Sequence, residues 1–217
     1  MSLGPKPGED VFTEDDLAPS DEDLRALRRH RLDKAATIVA AIALGLFLGG
    51  TIALGACAAP MVFELVPAPL NGKAMGAAFR RFDFIAIGCG VVVLGCEAFR
   101  TFLASGLFGG GRRQATKERI LRRARLYGAI LLAGGIVWTG MVLSPRIMAL
   151  HEAGARRNVG PEGAELESTH KTAELLGKID TVLALLLIAL HIGSLRSPRY
   201  ADDDELADAP LAPGPRR

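Results

Sequence analysis

Three acidic residues lie in or beside long apolar segments, where an ionisable side chain is costly and is therefore a functional candidate. They are Asp83, Glu97 and Asp180. Each lies near the end of a predicted membrane span, and Asp83 and Glu97 have arginines within one helical turn. Ion pairs at the membrane interface are therefore the favoured interpretation. The alternative is a polar path through the helices, with Asp83 and Asp180 at its outer mouth.

His170 and Glu174 are four residues apart, a spacing that places both on one face of a helix. Their side chains could bind a metal, and His151 lies on the same side of the membrane. Two ligands do not make a site, so a solvated helix face with paired charges is favoured. Metal or haem handling by His151, His170 and Glu174 is the alternative. His191, alone in the fourth span, is expected to be a hydrogen-bonded structural histidine.

Nothing in the sequence indicates an enzyme. It has no nucleophile–histidine–acid motif in a recognisable context and no nucleotide-binding glycine loop after a strand. The three cysteines are too few for a disulfide scaffold and form no Cys-x-x-Cys pair, so we predict no metal site and no cofactor. A net charge of +2 and an aromatic content of 6% argue against a nucleic-acid partner.

The hydrophobic content of 49% and the mean hydropathy of +0.25 place the chain in the membrane class. Four apolar segments are predicted to cross the bilayer, at about 36–58, 78–99, 126–145 and 179–195. Pro60 is expected to mark the place where the regular helix of the first span breaks. Backbone polar groups in lipid must be hydrogen-bonded internally, so we predict an all-α, integral membrane four-helix bundle over residues 35–195.

Both ends of the chain are predicted to be disordered tails, an acidic one over residues 1–19 and a second over 196–217. Ser20 is predicted to cap a charged cytoplasmic helix over residues 20–34 that runs into the first span. The segment LGAC at 54–57 faintly resembles a lipoprotein cleavage box. The apolar stretch before it is too long for a signal peptide, so a retained helix is favoured.

Lysine and arginine are distributed unevenly about the predicted spans. Of the 26 basic residues, 18 lie on the side of the two tails, which predicts that both termini face the cytoplasm of a multi-pass protein in a bacterial inner membrane. The basic segment 112–125 is expected to contact anionic lipid.

The first span contains the motif GLFLG at 45–49, whose small residues allow two helices to approach closely. Internal packing is favoured over a contact between copies in a homo-oligomer. Gly49→Leu is therefore expected to disturb the bundle more than Leu185→Gly, since Leu185 is predicted to face lipid. Residues 59–83 are expected to form an outer hairpin that buries Phe63 and Leu65 against the ends of the spans.

The segment APMVFELVP at 59–67, followed by Gly76 and by FRRFD at 79–83, resembles the domain-of-unknown-function 4149 family, also called transmembrane protein 205-like. The likeness extends over roughly residues 35–195, with Glu64 where a basic residue is frequent. The family has no agreed activity, so the resemblance implies the fold more than a function. The expected function is an integral membrane protein of unknown biochemical role, either a scaffold or a handler of small solutes or ions.

Overall fold

The computed structural model describes residues 20–67, 70–105 and 116–195. The predicted tails and residues 112–115 of the basic segment lie outside these ranges. The α-helices are α1 (Asp21–Ile52), α2 (Ala59–Leu65), α3 (Leu70–Ala104), α4 (Thr116–Trp138), α5 (Ser144–Glu152) and α6 (Gly160–Leu195). Two wider π-helical segments, Ala53–Ala58 and Thr139–Leu143, join α1 to α2 and α4 to α5.

These helices form four long rods, namely α1–α2, α3, α4–α5 and α6. Each rod is long and apolar enough to cross a membrane. The α1–α2 rod packs against α3 and α6, and the α4–α5 rod packs against the same two, which closes the rods into a bundle. The described residues contain no strand. The prediction of an all-α four-helix membrane bundle is confirmed.

The first helix begins at the predicted residue. The Ser20 hydroxyl accepts a hydrogen bond from the Asp23 backbone N–H, and the Asp23 carboxylate accepts one from the Ser20 N–H, each at 3.2 Å. This reciprocal capping box satisfies two backbone donors that the first turn leaves unpaired. The charged segment after Ser20 is continuous with the first span, because α1 runs without a break to Ile52.

The regular α-helix of the first span breaks in the segment directly before Pro60, as predicted, but the chain does not leave the helix there. The chain stays helical to Leu65, and Pro60 lies in the first turn of α2, directly after the π-helical segment Ala53–Ala58. Pro145 has the same position in α5, after the π-helical segment Thr139–Leu143. A proline cannot donate to the carbonyl four residues earlier, and a local change of hydrogen-bond register accommodates that missing donor.

The outer hairpin does not cap the bundle. Residues 59–65 continue the line of the first helix as α2, and Phe63 and Leu65 remain 56% and 69% exposed. The expectation assumed that apolar side chains must be buried in protein. In a membrane protein they can instead face acyl chains, so no folding back is needed.

The internal packing assigned to the GLFLG motif is also wrong. A Cβ atom added to Gly45 or Gly49 would meet no atom within 4 Å, so these glycines face away from the other helices. Gly50 packs instead against the Phe82 ring, and Gly90 of α3 packs against Ala133 of α4. The contact between copies of the chain stays a prediction. The core is built from the inward faces of all four rods, and includes Leu44, Phe47, Ala86, Val93, Ala129, Leu132, Ala184 and Leu187.

Candidate functional site

A fully buried carboxylate lies between the rods near one end of the bundle. Glu97 of α3 is 0% exposed, and its Oε1 accepts a 2.8 Å hydrogen bond from Nη1 of Arg100, three residues further along the same helix. Nε of Arg100 also donates to Oδ1 of Asp33 in α1, at 2.8 Å. Arg100 therefore joins a buried acid to one whose side chain is 45% exposed.

Two further rods contribute to the same group of side chains. Nε of Arg125 in α4 lies 3.5 Å from Oε2 of Glu97, and Nε2 of His191 in α6 lies 3.6 Å from Oε1. His191 is 0% exposed. We call these five residues the buried ionic cluster: Asp33, Glu97, Arg100, Arg125 and His191.

The ends of the helices bring the buried ionic cluster together. Glu97 and Arg100 lie in the last turns of α3, Arg125 lies in the early part of α4, and His191 lies in the last turns of α6. These positions share the end of the bundle from which the two tails leave. The predicted pairing of Glu97 with Arg100 is observed, but the two side chains do not reach outward toward headgroups. They are enclosed by helices on every side.

Several polar atoms of the buried ionic cluster have no hydrogen-bond partner in the described part of the chain. They are Oε2 of Glu97, Nε of Arg125 and both ring nitrogens of His191. Leaving a buried polar atom unpaired costs about 1–3 kcal/mol. The arrangement is therefore not one that maximises stability.

Asp83 lies in a separate groove, between α3 and the π-helical segment that joins α4 to α5. The groove has a volume of about 120 Å³, and Oδ2 of Asp83 is buried there without a hydrogen bond from the described residues. The expected ion pair with Arg80 or Arg81 does not form. Nη1 of Arg80 instead lies 3.8 Å from the sulfur of Met148.

Asp180 lies in another groove, between α4 and α6, where its carboxylate packs against Gly135. Asp83 contacts Gly140 on a different flank of the α4–α5 rod. The two acids therefore do not line one outer mouth. The sequence placed Asp180 at the end of a span, whereas α6 extends over 36 residues and places it near the middle of the helix.

The histidine and glutamate at helical spacing do not converge. His170 packs edge to face against His151, with ring centroids 5.8 Å apart. Glu174 is exposed and forms a 2.7 Å ion pair with Lys178. Over residues 20–67, 70–105 and 116–195, no three His, Cys, Asp or Glu side chains are placed to hold one metal ion.

A family model described as domain of unknown function (DUF4149) matches residues 42–156, which is more than half of the chain. The chain belongs to the DUF4149 family. No curated protein and no solved structure matches the chain. The assignment agrees with the resemblance carried by residues 59–83.

The matched DUF4149 region contains Glu97, Arg100 and Arg125 of the buried ionic cluster, whereas Asp33 and His191 lie outside it. Sequence reasoning did not select Asp33, Arg100 or Arg125 as candidates. Each stands in or next to a charged stretch that was interpreted as an interfacial pair or a topology signal. His191 was expected to be an isolated, hydrogen-bonded structural histidine. Instead neither ring nitrogen has a hydrogen-bond partner among the described residues, and the closing of the bundle brings the ring close to Glu97.

Proposed function

We propose that this DUF4149 protein is a non-enzymatic membrane protein that handles a small ion, and that the ion is the proton. The observation that carries the proposal is the buried ionic cluster, to which four rods contribute side chains. Well-packed apolar residues of similar volume are often at least as stable as a buried ion pair. Stability alone therefore gives little reason to place Glu97, Arg100 and His191 there.

The balance of charge favours the proton over other ions. Two arginines face two acids, so the carboxylates and guanidinium groups of the cluster balance and leave no unmatched charge that would recruit an anion or a metal cation. Nε2 of His191 lies 3.6 Å from Oε1 of Glu97, and carboxyl and imidazole groups are the side chains that most often transfer protons in proteins. Asp33, which is 45% exposed, supplies a contact with water at the end of the bundle.

Purified protein in liposomes tests the proposal. A potassium gradient with valinomycin sets a membrane potential, and a pH-sensitive dye inside the liposomes reports proton entry. We expect the wild-type protein to conduct protons and Glu97→Gln to lower the rate about tenfold or more, because the amide cannot exchange a proton. Glu174→Gln is the matched control, since Glu174 is exposed and paired outside the cluster.

Asp33→Asn provides a second measurement that does not depend on a buried substitution. Its side chain is half-exposed, so the variant should fold. We expect slower proton entry, because the side chain that contacts water is then an uncharged amide. Wild-type liposomes that acidify no faster than empty ones would disprove the proposal. So would a Glu97→Gln variant that conducts like the wild-type protein.

We further propose that both tails face the cytoplasm. Single cysteines at Asp10 and at Glu162 test this in a variant whose three native cysteines are replaced by serine. Glu162 is a suitable position because it lies in the first turn of α6 and is exposed. The neighbouring Gly160 is avoided because its φ of +69° disfavours any residue with a side chain. A membrane-impermeant maleimide should label Glu162→Cys but not Asp10→Cys in intact cells. Labelling of Asp10→Cys but not of Glu162→Cys would show that the tails face away from the cytoplasm.

A further inference from the structure

The groove between α4 and α6 has a volume of about 500 Å³ and a single ionisable side chain in its wall, that of Asp180. Its other lining residues include Leu131, Gly134, Trp138, Ile179 and Leu183. Leu131 and Trp138 are 63% and 54% exposed, so the groove opens on the outer surface of the bundle. In a membrane this surface faces acyl chains.

Asp180 is only 4% exposed, and no described residue hydrogen-bonds or ion-pairs with its carboxylate. Gly135 makes room for it, because a Cβ atom there would overlap the carboxylate oxygens. A buried carboxylate without a partner is costly, and the cost is relieved when a cation binds beside it. Its position in the wall of an open groove makes such a cation accessible from the bilayer.

We propose that this groove is a binding site for a lipophilic organic cation. A metal cation is a poor fit, because Mg²⁺ and Ca²⁺ require about six or more oxygen ligands and the groove supplies one carboxylate. A bulky cation with its charge spread over apolar groups loses little hydration on entering an apolar groove. Trp138 adds an aromatic face of the kind that stabilises such cations.

The site is independent of the buried ionic cluster. Asp180 lies near the middle of α6, and none of the five cluster residues lines its groove. A failure of proton conduction would therefore leave this inference standing, and the reverse also holds.

Trp138 is the only tryptophan of the chain and lies in the groove wall, so its fluorescence reports on this site. Tetraphenylphosphonium titrated into the purified full-length protein in detergent should change Trp138 emission in a saturable way. We expect Asp180→Asn, which keeps the shape and removes the charge, to weaken binding about tenfold or more. Asp83→Asn, a change in the other groove, should bind like the wild-type protein.

Tetraphenylborate has nearly the same shape and the opposite charge, so it separates ion pairing from simple partition into the groove or the micelle. We expect tetraphenylborate to bind the Asp180→Asn variant no more weakly than it binds the wild-type protein. Gly135→Ala is the second variant, and it should weaken cation binding because the new methyl group displaces the carboxylate. The inference is overturned if the wild-type response does not saturate, if Asp180→Asn binds the cation equally well, or if both ions bind the wild-type protein alike.

Discussion

Replacing Arg100 by methionine should lower the free energy of unfolding by about 3–5 kcal/mol, the cost typical of removing one partner from a buried ion pair. Arg100 is the only residue of the cluster that bonds to both Asp33 and Glu97, and its side chain is 3% exposed. Methionine preserves much of the volume, so the loss reports chiefly on the charge removed from beside Glu97, which keeps only its longer contact with Arg125. Denaturation of the purified protein in mixed detergent micelles measures the change.

A double variant shows whether the loss arises at the Glu97 carboxylate. Arg100→Met combined with Glu97→Gln should be destabilised by less than the sum of the two single changes, because the two side chains are hydrogen-bonded and the second substitution removes the charge that lost its closest partner. Lys178→Met is the matched control, since Lys178 also pairs with a glutamate on its own helix but is 71% exposed. Equal losses in Arg100→Met and Lys178→Met would contradict a stabilising role for the cluster contacts of Arg100.

Gly90→Leu should destabilise the bundle by about 1–3 kcal/mol, the usual cost of overpacking a close contact. A Cβ atom at Gly90 would already lie 3.4 Å from Cα of Ala133, so the rest of a leucine side chain would force α3 and α4 apart. The thermal unfolding midpoint of the detergent-purified protein measures the effect.

Gly88→Leu is the control for this substitution. Gly88 lies two residues earlier on the same helix, is exposed, and has no atom within 4 Å of an added Cβ. Both substitutions remove a helical glycine, so their effects on helix propensity and on the unfolded chain are closely similar. The difference between them isolates helix packing. If the two variants unfold at the same temperature, the α3–α4 contact at Gly90 is not a close one.

The features that sequence determined about this protein are those encoded by local, one-dimensional patterns. The apolar runs predicted four membrane-crossing helices, because a bilayer requires a minimum apolar length whatever the neighbours are. Ser20 and its following acids predicted the helix start, since capping involves residues within one turn. The pairing of Glu97 with Arg100 was predictable for the same reason, as it depends only on a spacing of three residues.

Only the tertiary structure decided how each helix is rotated about its axis. A helix that is apolar all round carries no hydropathy difference between its inward and outward faces, because lipid and protein interior are similarly apolar. The sequence therefore could not tell that Gly45 and Gly49 face outward while Gly90 packs against α4. It also could not predict that Arg100 bonds to Asp33, which is 67 residues away in the chain, or that His191 lies beside Glu97. Those contacts exist because packing turns the few polar positions of four apolar helices toward one another.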